Sequence, residues 1–265
     1  KSKTSNEINF TNCPLQNIKC GKWIADDTGV YRLDYGPTLE PIKVKASSIP
    51  ILPIQRLVNK EEQIEKVKII FLKDGEWKQI IVSRNTIASK AKILQLADLG
   101  VEVNEDNAKY LISYLADIIE LNKLEVKEST THLGWIDDEF APYTEDLVYD
   151  GENNFRDVYV SVCERGNYNT WKTFIRDLRA YSKVLHFIIA TSFASPLIKI
   201  LGINSYIVHL WGGTGVGKTV ALMVAMSIWG NPAMGKLTRS LNSTQVALAR
   251  YASFIHSLPF AGDEL

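Results

Sequence analysis

Eight residues of this chain have the types and the spacing to hold a phosphate chain. Gly212, Gly213, Thr214, Gly215, Val216, Gly217, Lys218 and Thr219 fit G-x-x-x-x-G-K-[ST] without a gap. The glycines let the backbone turn its N–H groups inward around phosphate oxygens. The Lys218 ammonium has the reach for the β- and γ-phosphates, and the Thr219 hydroxyl is a ligand for Mg²⁺. An apolar run of strand type, Tyr206 to Trp211, leads into the loop. A helix expected over Val220 to Trp229 aims its positive end at the same anion. Gly230 is expected to end that helix, and Pro232 forbids its return. A plain strand-to-helix turn has no need of the Gly-Lys-Thr ending, so the pattern implies ATP and Mg²⁺.

The second chemical feature is Leu258 to Leu265, LPFAGDEL. An apolar stretch ends in Asp263-Glu264. Asp263 at a strand's carboxyl end would bind Mg²⁺, and Glu264 would polarise the attacking water. An acid in that place favours hydrolysis over transfer to a substrate hydroxyl. Pro259 has no N–H for a central ladder and is expected at the strand's first residue. Between loop and acids there is room for a strand (Lys236 to Leu241) and a helix (about Ser243 to His256). Asn242 has two readings: it can cap that helix, with Gln245 three residues on. Alternatively it belongs to the nucleotide site as a polar sensor contacting Glu264. Arg239 and Arg250 on the same strand and helix could serve a subunit interface or DNA.

Other reactive residues form no constellation. His132, His186, His209 and His256 are scattered, so neither a zinc site nor a Ser-His-Asp triad is indicated. Asp137 to Glu139 lack calcium-loop spacing and read as a solvated turn. Cys13, Cys20 and Cys163 form no CxxC pair, which points to a reduced cytosol rather than a disulfide scaffold. With 30 basic and 30 acidic residues the net charge is zero, which excludes a polybasic coat but leaves room for a local basic groove.

The elements that must position this site begin with hairpins. KWIADDTGVYRL turns around Asp26–Gly29, and IEKVKIIFLKDGEWKQIIV turns at Asp74-Gly75. A helix is expected over Thr86–Leu99, ending at Gly100. A second starts after Asn104, with Glu105 and Asp106 in its first turn. It buries Ala108, Leu111, Ile112, Leu115, Ile118 and Ile119. Strands are expected at THLGWIDDEFAPY and DVYVSVCE. Helices follow, one capped by Asn169 or Thr170 and the next by Ser182. Pro196 is expected to start a further short helix. The apolar stretch Val184–Ile203 is broken by His186, Pro196 and Lys199, so it reads as a buried helix rather than a membrane span, and no membrane partner is expected. The division is a linker over 1–21, a mixed α+β domain over 22–168, a helical connector over 169–201, and a P-loop core over 202–265. That core should be a three-layer α/β arrangement with a parallel sheet.

Several stretches in order, ILPIQRLVN, KDGEWK, ILQLADLGVEV, THLGWID, SPLIKILGI, HLWGGTGVGKT, SIWGNP and LPFAGDEL, resemble the domain of unknown function numbered 927. That domain occurs in primase-helicase proteins of phages and integrative elements. The chain is also similar to MCM-like, self-loading helicases of bacterial cassette chromosomes. The resemblance implies an AAA+ ATPase that hexamerises and moves on DNA in the bacterial cytoplasm, with a primase as a possible associate. Its nucleotide residues correspond to Lys218, Thr219, Asp263 and Glu264. Such a motor also needs a sensor strand, an arginine finger and a helical lid, all of which would lie after Leu265. Both ends read as cut, so this stretch alone is expected to be inactive. Competing readings are a small-molecule kinase or other non-motor P-loop NTPase, and a DNA-binding or adaptor module without its own activity.

Overall fold

The Asp74-Gly75 pair closes the hairpin expected of it. In the computed structural model, which describes residues 6–37 and 39–263, Asp74 has φ 55° and Gly75 φ 80°. Both are positive, as a primed two-residue turn requires. The strands it joins, β7 (Glu65–Lys73) and β8 (Glu76–Ser83), pair antiparallel from Lys73↔Glu76 to Lys66↔Ser83. β6 (Ile51–Asn59) pairs with β7 on the other side and is bulged at Ile54, just after Pro53, which cannot donate. The earlier hairpin is also as expected: β3 (Ile24–Asp26) turns into β4 (Gly29–Tyr35), which pairs with β5 (Pro41–Ser47). The polar start is not all irregular, since β1 (Asn6–Glu7) and β2 (Lys19–Gly21) form a small antiparallel pair.

By contact density the chain forms two compact units, one up to Glu128 and one from Ser129 onward, a division inside the stretch 22–168. In the first, the expected Thr86–Leu99 helix is in three pieces: α1 (Arg84–Ala88), α2 (Lys90–Ile93) and a 3₁₀ turn (Leu94–Leu99). Ser83 caps α1, and the extended backbone of Ser89 breaks the run. Gly100 ends the turn at φ 94°. Helix α3 (Ala108–Leu121) starts later than expected, because the Asn104 side chain accepts the N–H groups of Asp106 and Asn107 and holds a turn there. Glu105 and Asp106 therefore precede the helix. Its buried face is Ala108, Leu111, Tyr114, Leu115 and Ile118, with Ile112 and Ile119 half-buried. The Tyr114 hydroxyl donates to the Ile51 carbonyl at 2.8 Å. Trp23 is wholly buried against this helix and donates from Nε1 to Asp117 at 2.7 Å. Cys20 is buried, its Sγ within 3.2 Å of the Asn6 and Trp23 carbonyls, and burial pushes its thiol up to about 11.

β9 (Glu125–Thr130) pairs with β6 and carries the chain into the second unit. There β12 (Val148–Tyr149) lies parallel to Ser129 and Thr130. β10 (Gly134–Ile136) and β11 (Glu139–Ala141) form the expected hairpin, with Trp135 and Phe140 directly opposed, edge to face at 4.9 Å. The stretch expected as a strand at DVYVSVCE is instead the last three residues of helix α4 (Asn153–Tyr159) followed by turns. Phe155, Val158, Tyr159 and Val162 are also at helical spacing. The core takes Val158, Tyr159 and Val162, while Val160 is left 58% exposed.

Helix α5 (Tyr168–Tyr181) is capped by Asn167, two residues before the expected Asn169, and α6 (Lys183–Leu201) by Ser182 as expected. Pro196 starts no new helix, since α6 runs through it. By length and composition α6 could cross a membrane, yet only Ile188, Ile189 and Ser192 are buried along it. The expected buried helix is therefore mostly exposed. Its polar side chains tie it into the unit. Ser192 donates to the Ala225 carbonyl at 2.8 Å, and Ser195 to that of Ser257 at 3.0 Å. Helix α7 (Lys218–Met226), β13 (Thr238–Ser240), α8 (Gln245–Ile255) and β14 (Ala261–Asp263) complete the unit.

Candidate nucleotide-binding site

The Gly212–Thr219 loop takes the backbone conformations that its glycines permit. Gly215 has φ 80° and Gly217 φ 88°, both in the left-handed region that favours glycine. Gly217 is the N-cap of α7, and no side chain caps that helix end. Its first N–H groups therefore point to solvent or a ligand rather than to the protein's own oxygens. A Cβ on Gly213, Gly215 or Gly217 would meet nothing within 4 Å, so the backbone is open to close approach. Lys218 curls back over the loop, and its Nζ donates to the Gly212 and Gly213 carbonyls, each at 2.9 Å. Thr214 and Val216 are exposed in the loop, and Thr219 is the second residue of α7. This donor set suits a chain of phosphate oxygens, with a cation and a hydroxyl at the head of one helix.

The strand expected before the loop, Tyr206 to Trp211, is not in a sheet. Ile207 is 95% exposed and Trp211 86%. A cavity of about 890 Å³, lined by Ser205–His209 on one side and Pro259–Gly262 on another, stands between this run and β14. An apolar run becomes a strand only when it pairs with an edge, and among the described residues no edge pairs with this one. The parallel order survives in β13 and β14, which pair in register from Thr238↔Ala261 to Ser240↔Asp263. Asp263 is the last described residue of β14, while Pro259 lies two residues ahead of the strand rather than at its first residue. Helix α7 packs on both strands. Glu264 lies outside the described residues, as does its suggested contact with Asn242.

The expected end of α7 is also revised. The helix stops at Met226, and Gly230 serves packing instead. A Cβ there would sit 2.2 Å from the Ser161 carbonyl oxygen, which the Asn231 N–H also bonds at 2.9 Å. Asn242 does not cap α8. Thr244 does, accepting from the Ala247 N–H at 3.2 Å, while the Asn242 N–H donates to Ser240 Oγ at 3.1 Å. Thr244→Ala should therefore cost about 0.5–2 kcal/mol of stability, and Asn242→Ala should leave α8 intact. Thermal melts of the two variants check this, and the opposite ranking would return the cap to Asn242.

Ser240 is the residue that the sequence did not single out. It lies in register beside Asp263 and takes the Asn242 N–H, so all three meet at the ends of the parallel pair.

DUF927, a domain of unknown function, matches residues 23–265. The chain belongs to this family. No curated protein matches this DUF927 chain by sequence. Among solved structures it is similar to one described as "SCCmec type IV Cch - active helicase", with 18% identity and a TM-score of 0.62. The likeness covers 92% of this DUF927 chain and 48% of that structure, so the chain spans about half its length. At this identity the similarity establishes the fold.

Proposed function

We propose that this DUF927 chain carries the ATP-binding part of a DNA helicase or translocase of a phage or mobile element. The observation that carries the reading is the open phosphate loop at the uncapped head of α7, with Lys218 folded over it. In this reading the loop N–H groups and Lys218 bind and orient the triphosphate. Thr219 and Asp263 hold Mg²⁺, which neutralises charge developing on the phosphate oxygens. Glu264 orients water for attack, and Asn242 senses the nucleotide near the strand ends. The finer architecture is an AAA+ core in which the Tyr206–Trp211 run joins a parallel sheet. The working particle is a self-associated hexameric ring on DNA in the bacterial cytoplasm, with a primase as an associate and no membrane.

The test has two stages. The 265-residue chain should bind a fluorescent ATP analogue in the presence of Mg²⁺. A longer chain that also carries the arginine finger should turn over, since such an arginine is worth about 10³–10⁵ in rate in P-loop systems, and as a DNA motor it should release phosphate faster when single-stranded DNA is added. Phosphate transfer to a nucleoside, with no response to DNA, would replace the motor by a kinase.

A further inference from the structure

Away from the phosphate loop, one concavity of the second unit gathers positive charge. β13, the first turns of α8 and Asn154-Phe155 of α4 enclose a cavity of about 300 Å³. That is the small end of the roughly 300–1,000 Å³ range of ligand pockets. Arg239 and Arg250 both line it, with Ser243 and the rings of Phe155 and Tyr251. No carboxylate lines it among the described residues. Asp157, on the same helix as Asn154 and Phe155, pairs with Lys236 at 3.4 Å.

Arg239 is held in place by Tyr251, its guanidinium carbon 4.6 Å from the ring centre. The Tyr251 hydroxyl donates to the Lys236 carbonyl at 3.1 Å and accepts a side-chain hydrogen bond from Arg239, so both ring and hydroxyl position the arginine. Arg239 Nε is buried and bonds no acceptor among the described residues. A buried donor of this kind calls for an explanation, and an anionic oxygen in the cavity supplies one. Two forked guanidiniums match phosphate geometry, and a neighbouring aromatic ring matches a base.

We propose that this pocket holds one phosphate-bearing nucleotide unit, with Arg239 and Arg250 on the phosphate and Phe155 beside the base. The cavity has room for one nucleotide and not for a run of them. The unit is either a link in a single strand or a free mononucleotide, and the shared chemistry is the same. The inference adds a second site to the ATP reading and draws on that reading only for the nucleic-acid source.

The experiment titrates the 265-residue chain with fluorescein-labelled oligothymidylate by anisotropy, and with dTMP by calorimetry. Arg239→Gln and Arg250→Gln are compared with the parent. Arg250 is exposed, so its variant keeps the test valid if Arg239→Gln fails to fold by circular dichroism. Each variant should weaken oligothymidylate binding about tenfold. Each should also lower the slope of log affinity against log salt by about 0.7. Binding of the fluorescent ATP analogue should not change. If dTMP binds, is weakened by the variants, and oligothymidylate never binds, the pocket stands with a free nucleotide as occupant and the nucleic-acid partner falls. If the parent takes up neither probe, or if both variants bind like the parent, the pocket assignment is overturned while the ATP reading stands.

Discussion

Replacing Lys218 by alanine should all but remove ATP binding from this chain. Lys218 is the one cation of the loop, and in the structure it already spans the turn, donating to the carbonyls of Gly212 and Gly213 at 2.9 Å. When a triphosphate enters, the ammonium exchanges two neutral acceptors for anionic oxygens, and bonds to charged groups are the stronger kind. Losing such a contact is worth about 1.5–3 kcal/mol, or roughly a 10- to 150-fold loss of affinity. Turnover should fall further, since the same charge stabilises the transferring phosphoryl group. The side chain contacts only its own loop, so the melting temperature without nucleotide should stay near that of the parent. Calorimetric titration with MgATP and a thermal melt measure the two quantities. A variant that binds MgATP as well as the parent would remove the loop from the nucleotide site.

Trp23→Ala should have the largest effect on folding. The indole is wholly buried, meets Tyr114 edge-on at 5.7 Å and lies under the Arg32 guanidinium at 5.3 Å. Its Nε1 bonds Asp117, which also pairs with Lys22 at 3.0 Å. Truncation opens a large cavity between α3 and the β3–β4 hairpin. Such changes cost about 3–5 kcal/mol. Asp117 keeps Lys22, so the cost is chiefly that of the cavity. Hydrogen exchange of first-unit core amides reads the loss directly, and a change under about 1 kcal/mol would contradict the packing described.

Local chemistry was the legible part of this fold. Asp74-Gly75, Asp26–Gly29 and the Trp135–Phe140 hairpin each turn within a few residues, so turn chemistry alone places them. The conformation of the Gly212–Thr219 loop is legible for the same reason, because closely spaced glycines take the positive φ angles there. The misreadings concern partners distant in sequence. Val158, Val160 and Val162 alternate like a strand, yet Phe155, Val158 and Tyr159 meet the core from helix α4, which ends at Tyr159 and gives way to turns. Tyr206 to Trp211 has strand composition, but pairing is a property of two segments, and its neighbouring edge is across a cavity. Gly230 reads as a helix stop, whereas the nearby Ser161 carbonyl is what excludes a side chain there. Asn242 and Thr244 are both good caps, and which begins α8 depends on where β13 releases the chain.

The three free thiols give this protein a chemical clock. Cys20 in the first unit is buried, with its thiol raised to about 11, so almost no thiolate exists near neutral pH. An alkylating reagent can mark it only during moments when the local structure opens. Cys163 in the second unit is only half-buried, so the reagent reaches it more readily. The order in which the two sulfurs are modified therefore records, residue by residue, how often the Trp23 core comes apart under any condition of interest.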